Sequence, residues 1–405
     1  MSPDTLTLVI ATDRGLGPDP LTLHRPKAAL PFGGKYRVID FTLANCLNSG
    51  LRQVLVLTQY KSHSLHKHLR DGWSMFNSEL GEFITPVPPQ MRDGSSWYAG
   101  AFDAIRQNRF LLERSPARQI LVLDGGYIYR MDYAEMIRAH AERNAGISLA
   151  LRGAGDADRG PVVTLDDEER VVDMATMTGP HADDATDGTG DARLTTMGVY
   201  LFDKEVLLKE LERMEGQVGE TRDLMGEVVP SLLASQRVLG YRFGQDRGRV
   251  TPDRYWCGLG SIDAYYQANI ALLRAEAPLD LYQEDWKIHT YQGQHPPART
   301  VPGQSGTEGI FVNSMLAAGT LIVGGGVNHS ILFPRVRVMD QTIVDESILF
   351  DGVRVDEGCH LRNCIVDKDV HIPRGTRIGF DLAADRERFA LSESGVAVIP
   401  KGYRF

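Results

Sequence analysis

A chain of 405 residues, 42% of them hydrophobic and 24% charged, is long enough for two domains, each with its own core, and shows no compositional sign of disorder. Its net charge of -9 argues against nucleic acid as a partner, because phosphate backbones are held by clustered Lys and Arg on a basic surface, whereas a local basic pocket for a small anion remains compatible. No run of about 18 apolar residues occurs, so no membrane span is expected, and the opening MSPDTLTLVIATDRG lacks the basic region of a secretory signal.

Cys46, Cys257, Cys359 and Cys364 are too few and too irregularly spaced for a disulfide framework or a zinc site. They read as reduced, mostly buried thiols of a cytoplasmic protein. Leu6 to Ala11, Leu51 to Thr58 and Gln119 to Leu123 are short apolar runs followed by polar or glycine residues, which suits strands buried on both faces of a parallel sheet. Helical spacing over Phe41 to Ser49 and Ala101 to Glu113 alternates with them, so the first two-thirds of the chain is expected to be an α/β sheet domain. Such sheets bind ligands beyond the carboxyl ends of their strands, which puts the loops after Ala11, Thr58 and Leu123 at one cleft. Within Thr7 to Asp40 a strand, a glycine-bearing loop and a lysine-containing segment follow one another, a layout suited to holding phosphate.

From Gly155 to Arg193 the chain is polar, with Asp183, Asp184, Asp187 and Asp191 among Gly and Thr, and a partly mobile loop is expected. Thr196 to Phe202 returns to strand character. Val206 to Arg213 and Asp263 to Ala275 read as helices, the second turning Ala264, Ile270, Ala271 and Leu272 inward. Pro278 to Pro302, with four prolines, reads as a linker. Beyond it, Thr320 to Phe350 and Val353 to Ile378 carry an Ile, Val or Leu about every six residues with Gly, Asn and Asp between. That period marks a parallel β-helix, in which successive coils stack and bury one apolar side chain per face.

The segments LHRPKAALPFGGKYRVIDFTLANCLNSGLRQVLVLTQYKSHSL, GWSMFNSELGEF, TTMGVYLF and DRERFALSESGVAVI resemble the bacterial ADP-glucose pyrophosphorylase (glucose-1-phosphate adenylyltransferase) family over nearly the whole chain. The resemblance implies a nucleotidyltransferase-like α/β domain with a mixed or parallel sheet over residues 1–277, a linker over 278–302 and a left-handed parallel β-helix over 303–405. It also implies a tetramer with an allosteric site between the domains. Active members join glucose 1-phosphate to ATP with Mg²⁺ and release pyrophosphate for glycogen synthesis.

Measured against that family, the catalytic parts are altered. The loop pattern Leu-Ala-Gly-Gly-x-Gly-x-Arg-Leu corresponds to Ile10, Ala11, Thr12, Asp13, Arg14, Gly15, Leu16, Gly17 and Pro18, so the leading glycines are gone and the catalytic Arg has become Gly17. Asp13 adds a negative charge, a penalty of roughly 1 to 4 kcal/mol against another anion 4 Å away. The two metal-binding Asp positions, in Gly-Asp-His-Ile-Tyr and Trp-x-Asp-Val-Gly-Thr, are Gly126 and Gly258. Glycine offers a hard cation no ligand. The Glu-Lys-Pro region, Ala175 to Pro180, has no Lys, and Phe102 in place of Ala is expected to fill ligand space.

Other positions match. Lys27, Arg37, Gln59, Tyr98, Asp103 and Asp223 correspond to nucleotide- or sugar-contacting residues, with retention for folding as the other reading; Asp124, on the same strand side as position 126, is the candidate for a rescued metal contact. His24, Arg25, Arg52 and Lys368 fall on basic positions that in the family line an anion site between the domains. The expectation is a catalytically silent or very weak paralogue that needs no cofactor and responds to an anionic metabolite. It would act as the regulatory subunit of a hetero-tetramer with a catalytic paralogue, or in a homotetramer. Two alternatives stay open: an active enzyme with relocated ligands that uses Mg²⁺ and ATP, and an effector-binding homo-oligomer without chemistry.

Overall fold

Thr5–Ala11 is buried at every position and lies between Gln53–Thr58 and Gln119–Asp124, parallel to both, in the computed structural model of the chain. The structure describes residues 4–12, 20–59, 61–90, 97–155, 160–175, 193–213, 224–245, 249 and 253–405. Successive strand side chains point to opposite faces. Leu6, Leu8 and Ile10 therefore enter one core with Phe102 and Ile105, whereas Val9 and Ala11 enter another with Ile39 and Leu43. Both faces are covered, which is why the sequence shows continuous apolar runs instead of alternation.

The full sheet has nine strands and is mixed. Leu194–Asp203 pairs antiparallel with Gln119–Asp124 and with Ile147–Gly153, and Val238–Arg242 closes that side parallel to Ile147–Gly153. The polar stretch expected as a loop after Gly155 contains an antiparallel hairpin, Val162–Leu165 with Val171–Ala175, at the sheet edge. An edge strand needs only one apolar face, so its pattern is diluted. Residues 176–192, including the four aspartates, lie outside the described residues.

Two helices differ from expectation. Ala101 to Glu113 is two helices, Ala101–Gln107 and Arg109–Arg114, separated at Asn108. The buried Asn108 amide donates to Tyr98 Oη and to the Ala104 carbonyl, both at 2.8 Å. The helix Ile262–Ile270 buries Tyr265, Tyr266, Ala268 and Asn269, not Ala264, Ile270 and Ala271; of the four residues expected inward, Leu272 is buried, in the turn that follows. The two tyrosines turn the helix because they reach the second domain: Tyr265 meets Phe350 edge to face, and Tyr266 donates to the Glu346 carbonyl at 2.6 Å.

The proline-rich connection is a packed strap. Leu279, Trp286 and Thr290 are buried, Trp286 Nε1 donates to Asn45 Oδ1 at 3.0 Å, and Thr290 Oγ1 donates to Asp40 Oδ2 at 2.6 Å. Arg299–Val301 already pairs with Leu321–Val323, so coil pairing starts before residue 303. From there three parallel stacks form the left-handed β-helix, with Ile322, Val338, Val355 and Ile372 in line on one face and Val327, Val344, Leu361 and Ile378 on the next. Asn313, His329, Glu346 and Asn363 repeat at one corner with φ of 43, 45, 44 and 51°. Asn, at two of these four corners, is among the non-glycine residues that tolerate this left-handed backbone best.

The third stack packs on the first domain. Ile331, Phe333, Ile348, Phe350, Ile365 and Val398 share a core with Leu21, Leu30, Phe32, Phe41, Tyr265 and Tyr266.

Candidate functional site

The carboxyl ends of Thr5–Ala11, Gln53–Thr58 and Gln119–Asp124 meet as the sheet topology requires. Gly125 N donates to the Ile10 carbonyl at 2.9 Å, and Gln59 Nε2 donates to the Thr12 carbonyl at 3.2 Å, tying three strand ends together. Tyr127–Tyr129 then pairs antiparallel with Trp256–Gly258, which sets Gly258 opposite Tyr127. Gly258 is thus brought opposite the residue that follows Gly126, although the two glycines are far apart in sequence. Gly17 and Asp223 lie outside the described residues.

A stack of rings and cations stands beside these glycines. The Tyr127 and Trp256 rings are 4.8 Å apart and tilted by 37°. The Arg152 guanidinium lies 3.7 Å from the Trp256 ring centroid, and Lys27 Nζ lies 5.1 Å from that of Tyr127. Trp256 Nε1 donates to the Met197 carbonyl at 3.2 Å, which fixes the indole. Glycines make the room. Gly198, with φ +81°, sits at an irregularity of its strand, and a Cβ there would come within 2.6 Å of the Tyr127 ring; a Cβ at Gly258 would lie 3.1 Å from the Trp256 ring.

At Gly126 a Cβ would meet Lys27 Cε at 3.0 Å, Asp124 Oδ1 at 3.1 Å and Lys27 Nζ at 3.2 Å. Asp124 does point to the side of position 126, where Oδ1 accepts from Gly126 N at 2.7 Å. Lys27 is 9% exposed, and its ammonium stands over the Tyr127 face; among the described residues it forms no hydrogen bond or ion pair. Burial raises the Cys257 thiol pKa, with Lys27 and Arg152 opposing the shift. No group of three or more His, Cys, Asp or Glu able to hold a metal occurs among the described residues. Asp124 and an ammonium, in place of two further carboxylates, do not make the oxygen shell that Mg²⁺ takes.

The remaining sugar and nucleotide candidates separate. Tyr98 is buried in the core under the sheet with its hydroxyl on Asn108, and burial raises its pKa. Asp103 accepts from Ala99 N, Arg106 and Gln107 at 2.8 to 3.1 Å, so its carboxylate is consumed in fastening the start of its own helix. Phe102 belongs to the same core and does not fill the cleft. Lys27 and Gln59 stay at the strand ends.

Arg37 joins a different group. Arg25, buried, donates through Nη2 to both oxygens of Asp367 at 2.7 Å, linking the sheet domain to the β-helix, while its Nη1 is buried without a hydrogen-bond partner. Arg37 Nη1 donates to the Ser64 carbonyl at 2.7 Å, and burial, with Arg25 adding and Asp40 opposing, lowers its pKa to about 10. Lys368 is lowered to about 8 by burial, with the Arg37 and Arg25 charges adding. Three cations converge between the domains, one with an unsatisfied N–H. Arg52 is not with them: it follows the helix Val38–Asn48 that Arg37 precedes, roughly 16 Å of helix apart, and donates to the Leu47 carbonyl at 2.8 Å. His24 is exposed beside Arg25.

Arg152, Tyr127 and the Trp256 ring were not singled out by sequence reasoning. Tyr127 and Trp256 sat in quoted motifs whose glycines drew attention, and Arg152 has no motif. Pairing of two distant strands is what assembles them.

Such a sheet, with a coiled domain behind it, defines a nucleotidyl transferase fused to a hexapeptide-repeat β-helix. Residues 18–275 match the nucleotidyl transferase family and residues 296–399 the GlmU-like C-terminal hexapeptide family. The chain is 48% identical over 404 residues to glucose-1-phosphate adenylyltransferase 2 of Vibrio cholerae serotype O1, covering 99% of both chains. It is 37% identical over 399 residues to glucose-1-phosphate adenylyltransferase of Nitrosococcus oceani, covering 98% of this chain and 93% of that one. The chain belongs to the glucose-1-phosphate adenylyltransferase family. No helix among the described residues is long and apolar enough to cross a membrane.

Proposed function

We propose that this chain is a catalytically silent or very weak member of its family that acts as a regulatory subunit, in a hetero-tetramer with an active paralogue. The observation that supports this most is the pairing that sets Gly258 opposite Tyr127, the residue after Gly126, with the Lys27 ammonium against position 126. Adenylyl transfer relies on a metal bridging phosphate oxygens and on cations that neutralise developing charge. An ammonium supplies one charge and no coordination sphere. The cations of Arg25, Arg37 and Lys368, with Arg25 Nη1 unsatisfied, support reception of an anionic metabolite between the domains. Free thiols at all four cysteines are in keeping with a reducing, cytoplasmic location.

The expected result is no Mg²⁺-dependent pyrophosphorolysis of ADP-glucose by the purified chain, together with an altered rate or effector response of an active paralogue on co-expression. Failure to associate with any such paralogue would sink the subunit reading and leave a homotetramer.

A second reading, an active transferase making ADP-glucose, is favoured by the full-length similarity to relatives named for that activity and by the Asp124 carboxylate at the strand end. Robust pyrophosphate release from ATP and glucose 1-phosphate, abolished by Asp124→Ala, would establish it.

A further inference from the structure

We propose that the outward face of the first β-helix stack is a docking surface for a linear polyanion, of which inorganic polyphosphate is the type. The proposal does not depend on how the cleft at positions 126 and 258 is read.

The strands Arg299–Val301, Leu321–Val323, Arg337–Val338, Arg354–Val355 and His371–Ile372 stack in parallel register, so Arg299, Leu321, Arg337, Arg354 and His371 form one column. Their strand neighbours Ile322, Val338, Val355 and Ile372 are buried in the coil core, and alternation along each strand turns the column to solvent. Arg299, Arg337 and Arg354 are exposed, and among the described residues their side chains form no hydrogen bond or ion pair. Elsewhere on the same coils counter-charges are supplied. Arg335 lies 2.8 Å from Asp351, Arg362 lies 3.6 Å from both Asp345 and Glu346, and Arg374 lies 3.8 Å from Glu357. At the foot of the column His371 meets Asp356 at 2.7 Å.

Like charges directly opposite one another on neighbouring strands destabilise a sheet. Rungs are about 4.8 Å apart, so the three arginines set unneutralised charge along roughly 14 Å. A chain with a net charge of -9 has carboxylates to spare, yet the column contains none. The missing counter-charge is assigned to a partner, and the shape of the column selects it. The column is straight and one residue wide, and Asp351, Asp356 and Asp369 border it within three residues along the chain, which opposes a broad anionic surface such as a bilayer or a duplex. Single-stranded nucleic acid is held on rings over which bases stack, and no Phe, Tyr or Trp stands in the column. Polyphosphate carries charge on every repeat, at a spacing shorter than one rung, so each guanidinium fork meets phosphate oxygens without any register to satisfy.

The test is calorimetric titration of the full-length protein in EDTA with long-chain polyphosphate, with tripolyphosphate, which is too short to reach from Arg299 to Arg354, and with oligothymidylate. Wild type is expected to bind the long chain tightest. Arg337→Gln with Arg354→Gln should weaken that binding by about tenfold or more and lower the slope of log affinity against log salt by roughly 1.4, at about 0.7 for each lost phosphate contact. Without polymer the double variant should melt no lower than wild type, because it removes a like-charge pair from an exposed face. Arg335→Gln, whose charge is already matched, should leave the affinity as it was. Binding unchanged in the double variant overturns the proposal. So does binding that survives in it but is lost in Lys368→Gln, which puts the polymer at the cations between the domains. Oligothymidylate bound more tightly than polyphosphate overturns the choice of partner.

Discussion

Asp40 shows how one residue can hold several elements at once. Fully buried, its carboxylate lies 2.6 Å from His68 Nε2 and accepts from Trp73 Nε1 at 2.9 Å, from Thr290 Oγ1 at 2.6 Å and from Arg37 N at 2.8 Å. Asp40→Ala leaves four donors without their acceptor and should destabilise the protein by about 3 to 5 kcal/mol, read as a lower urea midpoint. Lys368 gives a pH signature of opposite sense for folding and for binding. Its pKa falls from 10.5 to about 8 on folding, so between those values the unfolded chain binds the extra proton and stability rises with pH. Anion binding between the domains should instead weaken above pH 8 as Lys368 discharges, by up to about tenfold per pH unit. Titration of the anion-induced melting shift against pH, with Lys368→Arg expected to flatten the curve, measures this.

At the level of elements, the short pairing of Tyr127–Tyr129 with Trp256–Gly258 depends on a glycine in a third strand. Gly198→Ala forces a residue with a Cβ to φ +81° and into the Tyr127 ring. A cost of about 1 to 2 kcal/mol from the backbone alone is expected, plus displacement of the ring. A changed near-ultraviolet circular dichroism spectrum, with far-ultraviolet intensity kept, is the expected readout. The β-helix coils are less delicate individually because each face repeats the same packing, yet Leu361→Ala, deep in that stack, should cost about 2 to 5 kcal/mol in denaturant melts.

For the whole molecule, the two domains are joined by an apolar core, the 278–302 strap and one buried charge pair. Removing Arg25 leaves Asp367, 1% exposed, without its partner. Arg25→Met is therefore expected to destabilise by about 3 to 5 kcal/mol and to split a single calorimetric transition into two, one per domain. The same variant should lose anion reception between the domains. A regulatory part for this chain would require a signal to cross that junction, and Arg25 is where the anion candidates and the domain junction coincide.

Local patterns were enough for the central strands and the stacked coils. Continuous apolar runs such as Leu6 to Ala11 specify strands covered on both faces, and a six-residue apolar period with small turn residues specifies stacked coils, because each is a short-range steric or burial requirement written residue by residue. Matching motifs likewise marked Gly126 and Gly258. Three matters were settled only by the tertiary structure. Burial assigned Asp103, Tyr98 and Phe102 to structural duties, since hydrogen-bond saturation and core membership depend on neighbours remote in sequence. Helix Val38–Asn48 separated Arg52 from Arg25 and Lys368 and delivered Arg37 to them. Finally, a pairing between strands more than a hundred residues apart set Trp256 and Gly258 beside Tyr127, whose ring also meets Lys27, and no local pattern encodes a pairing at that separation.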